Sequence, residues 1–121
     1  MTSGLPLLAY WALHLASEDL TYAWELDTYV EAHSTASGAE ARLAEARRVV
    51  DELVRRGLLD VYKGQRGGPE LRLVGEEAFE ALRSPRREAP VSSTKQGLMF
   101  VTTERGDAAY ESMTHPSAHH E

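Results

Sequence analysis

The chain has 121 residues, a hydrophobic fraction of 42%, a charged fraction of 26% and a formal net charge of −6. That is the composition of one globular domain rather than of a disordered segment or of two independent cores. It contains no cysteine, so disulfides, thiolate metal sites and cysteine nucleophiles are excluded, and the absence suits a reducing cytoplasm.

The longest apolar run, Leu5 to Ala16, spans 12 residues and includes Pro6 and His14. A membrane-spanning helix needs about 20 apolar residues, and no basic residue precedes the run as in a secretory signal. A buried first helix is therefore expected. Pro6 suits its first position, where no amide donor is needed. Leu7, Leu8, Tyr10, Trp11, Leu13 and Leu15 make it apolar nearly all round. Ser17, Glu18 and Asp19 then offer a cap and first-turn acids for a second helix running to about His33. Tyr22, Leu26 and Val30 follow its spacing, while the alternation of Tyr22, Trp24 and Leu26 is also a strand signal.

The third helix, residues 39–56, carries the most signals. Ser37 and Glu40 stand as a capping box. Leu43, Ala46, Val50 and Leu53 form an apolar stripe widened by Val49 and Val54, and Gly57 with Leu58 reads as a left-handed stop. Residues 58–74 read as a β-hairpin around the loop Lys63-Gly-Gln-Arg-Gly-Gly-Pro69. A short helix at Glu76 to Arg83, an irregular insertion at 84–96, a strand at Leu98 to Thr102 and a helix at Thr103 to Met113 complete a single domain of residues 1–114. Residues 115–121 read as a disordered tail.

Charge is unevenly spread. Residues 1–41 hold six acids and no Lys or Arg, residues 42–72 hold eight basic and five acidic residues, and residues 73–121 hold five basic and eight acidic. The middle, at +3, is the one net-positive part of the chain, and such asymmetry speaks to partners rather than to fold.

Arg48-Val-Val-Asp-Glu-Leu-Val-Arg-Arg-Gly-Leu-Leu-Asp60 resembles the end of the recognition helix, and its passage into the wing, of the winged helix-turn-helix superfamily. Phe100-Val-Thr-Thr-Glu-Arg-Gly-Asp-Ala-Ala-Tyr110 is similar to the strand-to-helix segment that follows the wing in its MarR/PadR-type bacterial regulators. The resemblance implies an α+β winged helix: a three-helix core, a β-hairpin wing and a C-terminal strand-helix extension. It also implies a DNA-binding transcriptional regulator, as a homodimer, with helix 39–56 in the major groove.

The helix face opposite the apolar stripe is centred on Ala41, Ala44, Arg48 and Arg55, flanked by Arg42 and Arg47. Small residues let a helix settle into the groove, and arginine reaches guanine edges. Lys63, Arg66 and Arg72 on the hairpin would meet phosphates. The DNA-contacting set is thus Arg42, Arg47, Arg48, Lys63, Arg66 and Arg72, expected to form one continuous exposed patch; failure to form it tells against DNA binding through this set. Intrahelical pairs Arg48–Glu52 and Asp51–Arg55 account for the same residues without DNA.

The alternative is a protein-interaction module (adaptor, inhibitor or immunity-type protein) whose acidic segment 18–31 addresses a basic protein partner. The aromatic group Tyr10, Trp11, Tyr22, Trp24 and Tyr29 reads either as core or as a ligand pocket or interface. His14 and His33 read as isolated and His115, His119 and His120 lie in the tail, so no metal site or cofactor is expected. No nucleophile elbow or phosphate-binding glycine loop is present, so no enzyme is expected.

Overall fold

The computed structural model describes residues 6–64, 70–83, 87 and 97–113. The hairpin loop with Arg66, most of the 84–96 insertion and the histidine tail lie outside the described residues.

Helix α1 (Leu8–Ala16) follows a turn in which Ala9 N donates to the carbonyl of Pro6 at 2.9 Å. Ser17 does not start the next helix; its Oγ donates to the His14 carbonyl at 2.9 Å and closes α1. The two competing signals that follow are both realised, one after the other. Thr21–Tyr22 form strand β1, and α2 (Ala23–Glu31) starts directly after it. Tyr22 N donates to Glu25 Oε1 at 3.1 Å, so a capping carboxylate takes over where sheet pairing stops. Helix two is therefore shorter at both ends than its sequence pattern suggests.

Helix α3 (Ala39–Arg55) starts after Gly38, whose φ of 91° favours glycine. The expected Ser37/Glu40 capping box is absent, because Gly38 occupies the cap position and leaves Ser37 one residue outside the helix. The C-terminal stop forms as read. Gly57 has φ 76°, Gly57 N donates to Val54 O at 3.0 Å, and Leu58 N donates to Leu53 O at 2.9 Å. This is a Schellman arrangement, and the buried Leu58 makes the apolar contact that accompanies it.

Strands β2 (Leu59–Gly64) and β3 (Glu70–Leu73) form the expected hairpin, followed by α4 (Glu76–Ala81), β4 (Gly97–Thr102) and α5 (Glu104–Ser112). The sheet is antiparallel in the order β1-β4-β2-β3. The last strand is thus no appended extension. It inserts between β1 and β2, which leaves β3 as an edge. The described residues give a mixed α+β architecture of five helices and one four-stranded sheet. No helix among them is long and apolar enough to cross a membrane.

Alternation divides the sheet into two faces. Thr21, Leu59, Val61, Leu73, Leu98 and Phe100 share one face, where the apolar residues join Leu13, Leu26, Val30, Val50 and Leu53 of the helices in the core. Each fully buried Leu or Phe there contributes about 1.5–3 kcal/mol. The other face carries the cross-strand row Tyr22, Met99, Tyr62, Arg72.

Helix α5 is tied to the turn after α3. Thr103 N donates to Leu58 O (3.1 Å), Thr103 Oγ1 donates to Gly57 O (2.8 Å), and Gly106 N donates to Thr103 Oγ1 (3.0 Å). A Cβ on Gly106 would stand 2.1 Å from the Leu58 carbonyl oxygen, so helix and turn approach this closely only because residue 106 is glycine.

Candidate nucleic-acid interface

The stripe that buries Ala46, Val49, Val50, Leu53 and Val54 of α3 turns the opposite side of the helix outward. Ala41, Ala44, Arg48 and Arg55 are all exposed and, at helical spacing, share one face. Arg42, in line with the buried Ala46, Val49 and Leu53 rather than with this face, is half-buried. Among the described residues Arg42, Arg48 and Arg55 form no ion pair.

Three of the four acids of α3, all but Glu40, are engaged elsewhere. Glu45 accepts from Ser34 Oγ in the α2–α3 connection. Glu52 pairs with Arg56 Nε at 2.7 Å, not with Arg48. Asp51 Oδ1 lies 2.5 Å from Arg87 Nη1, so the Asp51–Arg55 pair expected from spacing does not form either. Arg105 of α5 adds a further exposed cation at the C-terminal end of α3, its Nη1 3.2 Å from where a Gly57 Cβ would stand.

The described members of the six cations read from sequence do not form one continuous exposed patch, an outcome that tells against DNA binding through that set. Arg48 is exposed and Arg42 half-exposed on α3, but Arg47 bends back to Asp27, Nε to Oδ2 at 3.3 Å. Arg72 reaches Asp60 Oδ1 at 3.1 Å. Arg72 pairs in register with Tyr62 and Lys63 with Leu71, so the two hairpin cations occupy opposite faces of the sheet. Arg66 lies outside the described residues. Arg72 also borders a shallow groove of about 200 Å³ that runs from Val54 and Gly57 at the end of α3 to Phe79 of α4.

Behind α3 sits a buried charge cluster that sequence reading missed. Arg87 is 3% exposed and Asp27 1%. Burial works against the Arg87 charge, but its hydrogen bonds and proximity to Asp27 and Asp51 outweigh that and hold its pKa above the ordinary value. Nothing in the pattern around residue 87 marked it, since an arginine between prolines reads as solvated loop.

The aromatic group divides. Tyr10, Trp11 and Tyr29 gather between α1, α2 and α5, together with His14, His33 and Tyr110. His33 stacks on Trp11 with centroids 3.8 Å apart and planes 3° apart, and His14 Nδ1 lies 2.5 Å from the Tyr110 hydroxyl. The two histidines that read as isolated are therefore neighbours in this cluster. Tyr10 is pushed up to about 12 by burial and by its hydrogen bond with Tyr110. Desolvation lowers His33. Tyr22 lies elsewhere, its ring over Gly97 on the outer sheet face, and Trp24 Nε1 is buried without an acceptor among the described residues.

The acidic segment is less of a surface than its composition suggests. Glu18 and Asp19 are exposed and Glu31 half-exposed, but Glu25 caps its own helix and Asp27 is enclosed. Comparison with family models, curated proteins and solved structures finds no match to the chain.

Proposed function

We propose that this protein is a duplex-DNA-binding regulator of winged-helix type, with α3 lying in the major groove and the β2–β3 hairpin as its wing. The observation that carries the reading is the exposed pair Arg48 and Arg55 of α3, without an ion-pair partner among the described residues, on one face with small Ala41 and Ala44. A helix face on which small residues alternate with arginines lets the backbone approach base edges while the arginines reach phosphates or guanine. Arg105 extends the row onto α5. The acidic remainder of the chain works against binding, so the interaction is local and strongly salt-dependent.

The test is retention on random-sequence duplex and on heparin across a salt series. Three phosphate contacts, from Arg48, Arg55 and Arg105, predict a log–log salt slope of about −2.7. Absence of salt-dependent retention at low ionic strength overturns the reading.

A second reading, a protein-interaction module without DNA binding, is favoured by one observation. Trp11, His14, Tyr29, His33 and Tyr110 are only half-buried, so the ring cluster presents a face to solvent. That face would serve a protein partner, including a second copy of the chain, better than the acidic segment, in which Asp27 is enclosed and Glu25 caps its own helix.

A further inference from the structure

We propose that Arg87 is a positioning residue for the α3 arginine row: by drawing Asp51 inward it leaves Arg55 free to meet phosphate. The inference rests on the DNA-binding reading of α3 and assigns to that surface a residue that never touches the ligand.

Asp51 and Arg55 stand at i, i+4, the spacing at which carboxylate and guanidinium pair along a helix. In the structure Asp51 Oδ1 is 2.5 Å from Arg87 Nη1 instead, and Arg55 has no ionic partner among the described residues. Arg87 itself has nothing to offer DNA, because every guanidinium nitrogen is engaged. Nε and Nη2 donate to the two oxygens of Asp27 at 2.8 and 3.0 Å. Nη1 donates to Asp51 Oδ1 and also to the Leu82 carbonyl at 3.3 Å, and Nη2 reaches the Arg47 carbonyl at 3.4 Å. Five contacts match the five N–H donors of the group.

The consequence is electrostatic sorting. Asp27, Asp51, Arg47 and Arg87 form a closed group of two negative and two positive charges on the inner flank of α3. One of the two acids in the second half of α3, Asp51, is consumed there, and the other, Glu52, is held by Arg56. The outer face keeps Arg48 and Arg55 without an ion-pair partner among the described residues. Free Asp51 would swing to Arg55 and remove one cation from the row.

The experiment measures affinity for a short random-sequence duplex by fluorescence anisotropy across salt concentrations. Replacing Arg87→Met together with Asp27→Asn removes the buried pair as a unit, which spares the fold the cost of one stranded charge. In that background the salt slope is expected to shrink by about 0.9, one phosphate contact. Adding Asp51→Asn restores it there and leaves the wild-type slope unchanged, a rescue that mere loss of structure does not give. An Asp51→Asn effect equal in both backgrounds overturns the positioning role.

A second comparison keeps the native cluster's Arg87 in place. In the wild type, the effects of Asp51→Asn and Arg55→Ala on affinity are expected to add; measurable coupling between them means that Asp51 already neutralises Arg55 and also overturns the inference. Wild-type protein with no salt-dependent binding overturns the DNA reading and this role with it. Wild-type binding with a background-independent Asp51→Asn effect overturns this role alone.

Discussion

Arg87 and Asp27 make a two-pronged pair, Nε to Oδ2 at 2.8 Å and Nη2 to Oδ1 at 3.0 Å, with side chains 3% and 2% exposed. Asp27 belongs to α2, and Arg87 lies sixty residues away near the end of α4. Two charges enclosed this far are stable only together. Arg87→Met or Asp27→Ala alone is expected to destabilise the protein by about 3–5 kcal/mol, because the partner is left charged and enclosed. The double variant Arg87→Met/Asp27→Asn is expected to lose far less than the sum, and urea unfolding of all three measures the difference.

Gly106 sits within a helix, where alanine normally gains about 1 kcal/mol over glycine. Here the sign reverses. The added Cβ would stand 2.1 Å from the Leu58 carbonyl oxygen, a backbone atom that cannot swing aside. Gly106→Ala is expected to lower the melting temperature by separating α5 from the turn after α3. An unchanged or raised melting temperature counts against this packing.

The two candidate caps separate in the same way. Ser37→Ala is expected to be near neutral, since no side chain caps α3. Thr103→Ala is expected to cost about 1–2 kcal/mol, because its hydroxyl accepts from Gly106 N and donates to Gly57 O. Thermal melts of the two single variants check the contrast.

Stability has a dependence on pH at both ends. Tyr10 is held protonated in the fold, its pKa pushed from 10 to about 12 by burial and the Tyr110 bond. Its contribution is complete below pH 10 and is lost as pH rises toward 12, since the unfolded chain releases that proton first. His33 shifts downward through burial against Trp11. Its contribution is present above the ordinary histidine value and is lost as pH falls through the lowered one. Tyr10→Phe is expected to flatten the alkaline limb and His33→Gln the acid limb of melting temperature against pH.

On α3, Arg48→Ala and Arg55→Ala are each expected to weaken DNA binding uniformly across sequences and to reduce the salt slope by about 0.9. Arg72→Ala is expected to change it less, because Arg72 is already paired with Asp60. An Arg72→Ala effect larger than that of Arg48→Ala would place the contact surface on the hairpin rather than on the helix.

The local signals of this chain were legible because they depend on neighbours within a few residues. The stripe Leu43, Ala46, Val50, Leu53 located α3, Gly57 and Leu58 ended it, and a threonine cap at 102 or 103, Thr103 in the fold, opened α5. Spacing alone also chose the outward row Ala41, Ala44, Arg48, Arg55. Where local options were nearly equal, the tertiary structure decided. Tyr22 is a strand residue because β4 is beside it, and Ser37 is no cap because Gly38 turns the chain first.

The partner of Asp51 was decided by the fold, whereas Glu52 kept a local one, Arg56 at i+4. Asp51 and Glu52 each had an i, i+4 arginine in sequence, worth a few tenths of a kcal/mol on an exposed helix. An enclosed guanidinium with all donors to satisfy outcompetes such a pair, and Arg87 reaches Asp51 only through folding. Composition placed a positive middle in an acidic chain; only the buried cluster determined that Asp51 does not pair with Arg55.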